Sequence, residues 1–196
     1  MIAAIVLAAG LSRRMGRPKL ALPWRETTVI GQVVAVLEAA GVAEILVVTG
    51  GAHEEVEKAL RGTPARPVFN PRFEASEMVD SLQVGLAELA PSIEATLVAL
   101  GDQPQIQLPV VQAVIEAYTA QNAELVVPSF QMKRGHPWLV RRSLWPELSQ
   151  LRPPETLRDF MSRHAANIAY IPVSTDTILR DLDTPDDYER EKPEVV

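Results

Sequence analysis

The sequence predicts an α/β protein with three layers: a doubly wound, mostly parallel sheet covered by helices on both faces. Two observations carry this. The strand-like segments are continuous apolar runs without polar alternation, as expected of strands buried on both sides. Stretches with a one-sided apolar stripe at helical spacing separate them.

Residues 2–8 read as the first buried strand, and residues 28–40 as a helix whose stripe is Val29, Ile30, Val33, Val34 and Leu37, stopped by Gly41. Residues 45–48 form a second buried strand ahead of Gly50 and Gly51, residues 53–60 a short helix, and residues 67–69 a brief strand ending at Asn70-Pro71. Residues 77–89 are helical, with Ser76 as the expected cap. Residues 96–100 are another buried strand, closed by Gly101-Asp102-Gln103-Pro104, and residues 108–118 repeat apolar side chains at helical spacing. Residues 125–127 and 136–140 read as strands, and Pro154 as the first turn of a helix that presents Leu157, Phe160, Met161 and His164 on one face. Residues 168–173 and 178–181 are expected as late strands, and residues 185–191 as a terminal helical turn. Residues 129–155, rich in loop formers, read as an insertion near a site.

The chain has 196 residues, 47% of them hydrophobic and 22% charged, which is enough for one domain, 1–196, to bury a core unaided. There is no cysteine, so disulfides and thiolate metal sites are excluded and a cytoplasmic home is the expectation. No apolar run approaches the ~20 residues that span a bilayer. The N-terminal run is short and has no basic leader, so it reads as a strand and not a signal peptide. A net charge of −6 argues against broad nucleic-acid binding. Against that acidic background Arg13, Arg14, Arg17 and Lys19 are a local exception, which points to a small anionic ligand.

Ligands of open α/β sheets bind at the carboxyl ends of the strands, and three segments there carry chemistry. The first, residues 8–19, places Gly10 and Gly16 among basic side chains, so that backbone N–H groups and cations can meet a polyphosphate. It is not GxGxxG and lacks the Gly-Lys-Ser/Thr ending of a P-loop. The second holds Asp102 at the sheet rim, either as a ligand for Mg²⁺ or as a plain Asp turn. The third is Asp181-Leu182-Asp183-Thr184-Pro185, whose aspartates either reach a cation or cap a helix. A basic loop together with two rim aspartates is a stronger signal than any one of them.

Leu7-Ala8-Ala9-Gly10-x-Ser12-x-Arg14-Met15-Gly16-x-x-Lys19 resembles the signature of nucleotidyltransferases with a MobA-like fold. Gly101-Asp102-Gln103-Pro104 and Asp181-x-Asp183-Thr184-Pro185-x-Asp187-Tyr188 resemble that family's second and last motifs, and two further stretches, from Asn70-Pro71 to Ser81-Leu82 and Gly135-His136-Pro137, are similar as well. Ala75-Ser76-Glu77-Met78 departs from the pattern in having no glycine. The resemblance implies a Rossmann-like nucleotide-diphospho-sugar transferase fold. It runs toward the molybdenum cofactor cytidylyltransferase branch, because guanylyl relatives carry Ala-Gly-Gly where this chain has Ala8-Ala9-Gly10.

What the resemblance implies is transfer of CMP from CTP to the phosphate of molybdopterin, with Mg²⁺ or Mn²⁺ as the metal. A guanylyltransferase, a cytidylyltransferase with another phosphorylated acceptor, and a carrier serving a recipient molybdoenzyme are the alternatives. Arg14 and Lys19 would hold the triphosphate, Asp102 and Asp183 the metal, and Asp181 either a further ligand position or support for the turn. Leu7, Ala8, Ala9, Gly10, Ser12 and Gly16 would shape the nucleotide site, with a larger side chain at Gly10 blocking binding. His136 is either an acceptor contact or a structural turn residue, while His53 and His164 read as packing or surface residues. Trp24, Trp138 and Trp145 either stack on a pterin or pack in the core, with Trp138 the one to test. Arg13 is expected to be solvated.

Overall fold

The computed structural model describes residues 1–74 and 77–193. Its chain runs β1 (Ile2–Ala8), β2 (Pro23–Trp24), β3 (Thr27–Thr28), α1 (Val29–Ala39), β4 (Glu44–Thr49), α2 (His53–Ala59), β5 (Arg66–Phe69) and α3 (Met78–Glu88). It continues with β6 (Ala95–Leu100), α4 (Leu108–Gln121), β7 (Leu125–Phe130), β8 (Lys133–Arg134), β9 (Trp138–Arg141), α5 (Trp145–Gln150), α6 (Leu157–Arg163), β10 (Ile168–Pro172) and α7 (Pro185–Glu191).

The main sheet has the order β10-β7-β9-β6-β1-β4-β5, with β8 added to β7, while β2 and β3 form a separate hairpin. β1 pairs in parallel with both β4 and β6, β4 with β5, and β7 with β10. β9 is antiparallel to its two neighbours, which makes the sheet mostly parallel.

Alternation along each strand feeds two cores. Ala4, Val6 and Ala8 of β1 pack with Ile30, Val33 and Leu37 of α1 and with Val111 and Val114 of α4. Ala3 and Ile5 face the opposite layer, where α3 contributes Val79, Leu82 and Leu86, and α5 and α6 contribute Trp145, Leu148 and Phe160. This two-sided burial is why the strands read as unbroken apolar runs. Each fully buried Leu, Ile, Val or Phe contributes roughly 1.5–3 kcal/mol. α1 begins at Thr28, whose hydroxyl accepts from Gly31 N at 3.1 Å, and is followed by Gly41 at φ 79°, where a left-handed residue ends the helix.

Several expectations need correction. Residues 178–181 are not a strand. A 3₁₀ turn (Thr177–Leu179) stands there, because Ile178 and Leu182, both fully buried, plug the core four residues apart. Pro154 does not open a helix, since α6 starts three residues later, capped by Thr156, whose hydroxyl accepts from Asp159 N at 3.3 Å. The loop-rich 129–155 region holds β8, β9 and the unforeseen α5. Ser76 lies outside the described residues; at the start of α3 the Asp80 carboxylate accepts from Glu77 N at 2.8 Å. The three tryptophans are core residues, with Trp24, Trp138 and Trp145 only 4%, 3% and 6% exposed. Among the described residues no helix is long and apolar enough to cross a membrane.

Candidate active site

The chain leaves β1 for β4 and β5 on one side, then returns to place β6 on the other side of β1. The switch point of the sheet therefore lies between β1 and β6, where the loops after both strands part and leave a crevice. Gly101 N donates to Leu7 O at 3.0 Å, so the loop after β6 lies flat against the end of β1. A Cβ on Gly101 would stand 3.2 Å from that same oxygen.

The loop after β1 is built from left-handed residues around an anchor. Ser12 (φ 48°) and Gly16 (φ 66°) flank a 3₁₀ turn (Arg13–Met15). Met15 is buried, while Arg13 and Arg14 are exposed. A second 3₁₀ turn (Lys19–Ala21) follows Pro18 and buries Leu20 beside Lys19. Gly50 at the end of β4 supports the loop from below, since a Cβ there would meet the backbone of Ala9 and come within 2.7 Å of Phe73 Cβ.

The charged groups of all three segments converge. Lys19 Nζ lies 2.6 Å from Asp102 Oδ2 and 3.4 Å from Asp183 Oδ1. Arg14 Nη2 lies 3.0 Å from Asp183 Oδ2. The Lys19 side chain is 12% exposed and that of Arg14 71%, so the lysine is the inner cation and the arginine the outer one. A cleft of about 250 Å³ opens over this cluster, lined by Leu7, Ala8, Gly10, Ser12 and Arg13 as well as the four ionic residues. A wider lobe of about 620 Å³ shares Gly10, Arg14 and both aspartates, and extends over Ala9, Phe73, Glu77, Met78, Ser81 and Asp181.

Of the residues singled out from sequence, Arg14, Lys19, Asp102, Asp183, Leu7, Ala8, Ala9, Gly10 and Ser12 thus line one continuous cleft. Gly16 and His136 do not line it. Gly16 shapes the loop from outside, and His136 sits behind the C-terminal segment, its backbone N donating to Ile178 O at 3.1 Å. Withdrawal of the His136 ring from water lowers its pKa to about 4. A Cβ on Gly10 would meet no protein atom within 4 Å, so any obstruction there would come from a ligand. His164 packs on Phe160, its ring Nε2 2.7 Å from Glu147, and His53 Nδ1 is 2.7 Å from Thr49 Oγ1, both away from the cleft.

Sequence reasoning passed over Gln103, which is 1% exposed and donates from Nε2 to Asp181 Oδ1 at 2.8 Å. It also passed over the seat of Ser81, a buried hydroxyl that accepts from Asn70 Nδ2 at 3.2 Å and so ties α3 to the Asn70-Pro71 turn. Asp181 is exposed as a residue, yet its pKa is raised, chiefly by partial withdrawal of the carboxyl from water and then by the charges of Asp102 and Asp183.

A divalent cation fits the donor set. Two carboxylates from separate loops already share one positive charge, the Lys19 ammonium. Among the described residues no group of three or more His, Cys, Asp or Glu is gathered for a metal. The protein would thus supply two oxygen ligands and leave the rest of the shell to phosphates and water, as Mg²⁺ favours.

A basic loop and two carboxylates at the switch point of a mostly parallel sheet define a nucleotidyltransferase-type α/β domain. The chain belongs to the MobA-like NTP transferase domain family, which matches residues 4–168. It is 26% identical over 188 residues to the molybdenum cofactor cytidylyltransferase of Escherichia coli (strain K12), covering 94% of this chain and 92% of that one. It is 28% identical over 191 residues to the nicotine blue oxidoreductase of Paenarthrobacter nicotinovorans, covering 93% and 92%. Relatives of one fold thus carry names from two reaction classes, and function must be argued from the site. Among solved structures, a Mycobacterium tuberculosis H37Rv protein superposes with a TM-score of 0.83 at 31% identity, covering 96% of both chains. A manganese complex from the same organism superposes at 0.78, with 30% identity over 96% of both chains. A nucleotidyl transferase from Methanothermobacter superposes at 0.82, with 27% identity over 98% and 96%.

Proposed function

We propose that the protein transfers CMP from CTP to the phosphate of molybdopterin and releases pyrophosphate, with Mg²⁺ as its metal and the cytoplasm as its location. The observation that carries the reading is the meeting of Arg14 and Lys19 with Asp102 and Asp183 in one cleft. An inner and an outer cation facing two carboxylates suit a triphosphate held together with a divalent ion, and a lone anion site needs no carboxylates. The cytidylyltransferase relative and the Ala8-Ala9-Gly10 sequence support the choice of base.

In this reaction an oxygen of the acceptor phosphate attacks the α-phosphorus of CTP, and the bond from that phosphorus to the oxygen bridging to the β-phosphorus breaks. The proton state of a phosphate nucleophile at neutral pH makes a protein base unnecessary, so the chain contributes position and charge. Lys19, poorly exposed, would turn from the carboxylates to the phosphates, and Arg14 would hold the outer end of the triphosphate. Asp102 and Asp183 would hold the cation, whose chemistry is neutralisation of charge on the phosphate oxygens. Backbone at Ala8, Ala9 and Gly10 would flank the nucleotide.

The test is to incubate the protein with Mg²⁺, molybdopterin and either CTP or GTP, and to measure dinucleotide and pyrophosphate. Product with CTP is the expected result. Product with GTP alone overturns the base, pyrophosphate release only with another phosphorylated acceptor overturns molybdopterin, and nucleotide binding without turnover supports a carrier.

A further inference from the structure

We propose that Gln103 is a positioning residue that sets the spacing of the two cation-binding carboxylates, and that Asp181 is its hydrogen-bond acceptor and not a third metal ligand. This rests on the reading of Asp102 and Asp183 given above.

The segment that carries Asp183 has no strand to hold it, since residues 180–184 belong to no helix or strand. Its position depends on contacts with two neighbouring loops. From one side, His136 N donates to Ile178 O, and Gly135 lies so close that a Cβ would stand 2.6 Å from three carbons of the Ile178 side chain. From the other side, Leu182 N donates to Asp102 O at 3.0 Å, and Gln103 Nε2 donates to Asp181 Oδ1 at 2.8 Å and to Ile178 O at 3.4 Å. Gln103 follows Asp102, and Asp181 stands two residues before Asp183. The glutamine amide therefore bridges the two loops beside both carboxylates. One carboxylate oxygen of Asp181 is committed to this bridge.

The side chain is costly for the fold. Among the described residues Gln103 Oε1 is buried with no hydrogen-bond partner, and burying an unpaired carbonyl is less favourable than burying an apolar group of the same shape. A residue placed for packing alone would be apolar here. An amide is placed for what its N–H₂ donates.

The experiment measures Mn²⁺ affinity by electron paramagnetic resonance with CTP or GTP and no acceptor, together with thermal midpoints. Gln103→Met is expected to keep or raise the midpoint while weakening Mn²⁺ binding about tenfold or more, the scale on which outer supports of metal ligands act. Asp181→Asn, which keeps the accepting oxygen, is expected to hold Mn²⁺ within about threefold of wild type, and Asp181→Ala to weaken it as Gln103→Met does. The double variant Gln103→Met/Asp181→Ala should be no worse than either single one, because both remove one bond. Wild-type affinity in Gln103→Met overturns the role of Gln103, and a loss in Asp181→Asn as large as in Asp183→Asn makes Asp181 a ligand. If the wild-type chain holds no Mn²⁺ with either nucleotide, the reading of the site falls and takes this inference with it.

Discussion

The Asp102 loop and the Asp183 segment each bring a carboxylate to the same lysine, but they are held by different means. Asp102 follows β6, a strand buried at every position and paired on both sides, so the sheet itself fixes where the carboxylate stands. Asp183 follows no strand, and its segment is fixed by two buried apolar plugs and hydrogen bonds from other loops. One half of the site inherits the rigidity of the core, and the other depends on tertiary contacts that single substitutions can remove. Solvent follows the same division, with the Asp102 side chain 21% exposed and that of Asp183 37%.

The sharpest probe of that contrast is removal of each carboxylate. Asp102→Ala is expected to lower the transfer rate by about 10²–10³, the scale seen when one preorganised electrostatic group is lost. Asp183→Ala should lose about tenfold less, because charge interactions weaken with solvent access. Single-turnover rates check the order, and an Asp183 variant that loses more breaks the comparison.

Acid should loosen the Asp183 side first. Folding lowers the pKa of His136 to about 4 from its ordinary 6.5, so between those values the unfolded chain binds a proton that the folded chain does not. Stability is therefore constant above pH 6.5, falls as pH drops toward 4, and levels off below, a full change on the order of 3 kcal/mol, of which about 2 kcal/mol falls between pH 7 and pH 5. Urea unfolding at pH 7 and pH 5 measures this, and His136→Gln should flatten the dependence. Hydrogen exchange should show the Leu182 amide opening before that of Gly101 as pH falls through the window.

Lys19→Ala removes the one ammonium that faces both segments. The loss of charge-assisted contacts should weaken nucleotide binding by about 1.5–3 kcal/mol, measured by calorimetry. Arg14→Ala should cost less, because that side chain is 71% exposed and its contacts are screened.

The smallest effect concerns the helix start just after Asp183. Thr184 Oγ1 accepts from Asp187 N at 3.2 Å, while the Asp187 carboxylate accepts from Thr184 N at 2.9 Å. Thr184→Ala should cost about 1 kcal/mol, or roughly 2–4 °C in Tm. The bonds from Thr184, then Arg190, depress the pKa of Asp187 to about 2. Their stabilisation is complete above the ordinary carboxylate value and is lost as pH falls toward 2, so Thr184→Ala should also soften acid unfolding over that range.

The same division explains what the sequence disclosed. Strands buried on both faces announce themselves as apolar runs, and the loops that follow them carried Lys19 and Asp102 in plain view. Ile178 and Leu179 imitated a strand because a short apolar run, without alternation, does not tell a ladder from a core plug. α5 escaped notice because six residues with Trp145 and Leu148 inward are too few for periodicity to register. The direction of β9 was not legible, since an apolar run is the same read either way. Gln103 was passed over because a glutamine in a Gly-Asp-Gln-Pro turn looks solvated, and only the fold reveals it at 1% exposure.

The closing contacts of the site span nearly the whole polypeptide. Asp183 meets Lys19 across 164 positions and Arg14 across 169, and the Tyr188 hydroxyl donates to Pro23 O across 165, at 2.7 Å. During synthesis β1 and its basic loop leave the ribosome first and the last motif long after them. The cleft gains its second carboxylate only when that motif emerges, and the same motif brings Leu182 and Tyr188 into the core, so a nascent or C-terminally clipped chain would lack both the complete site and part of its packing.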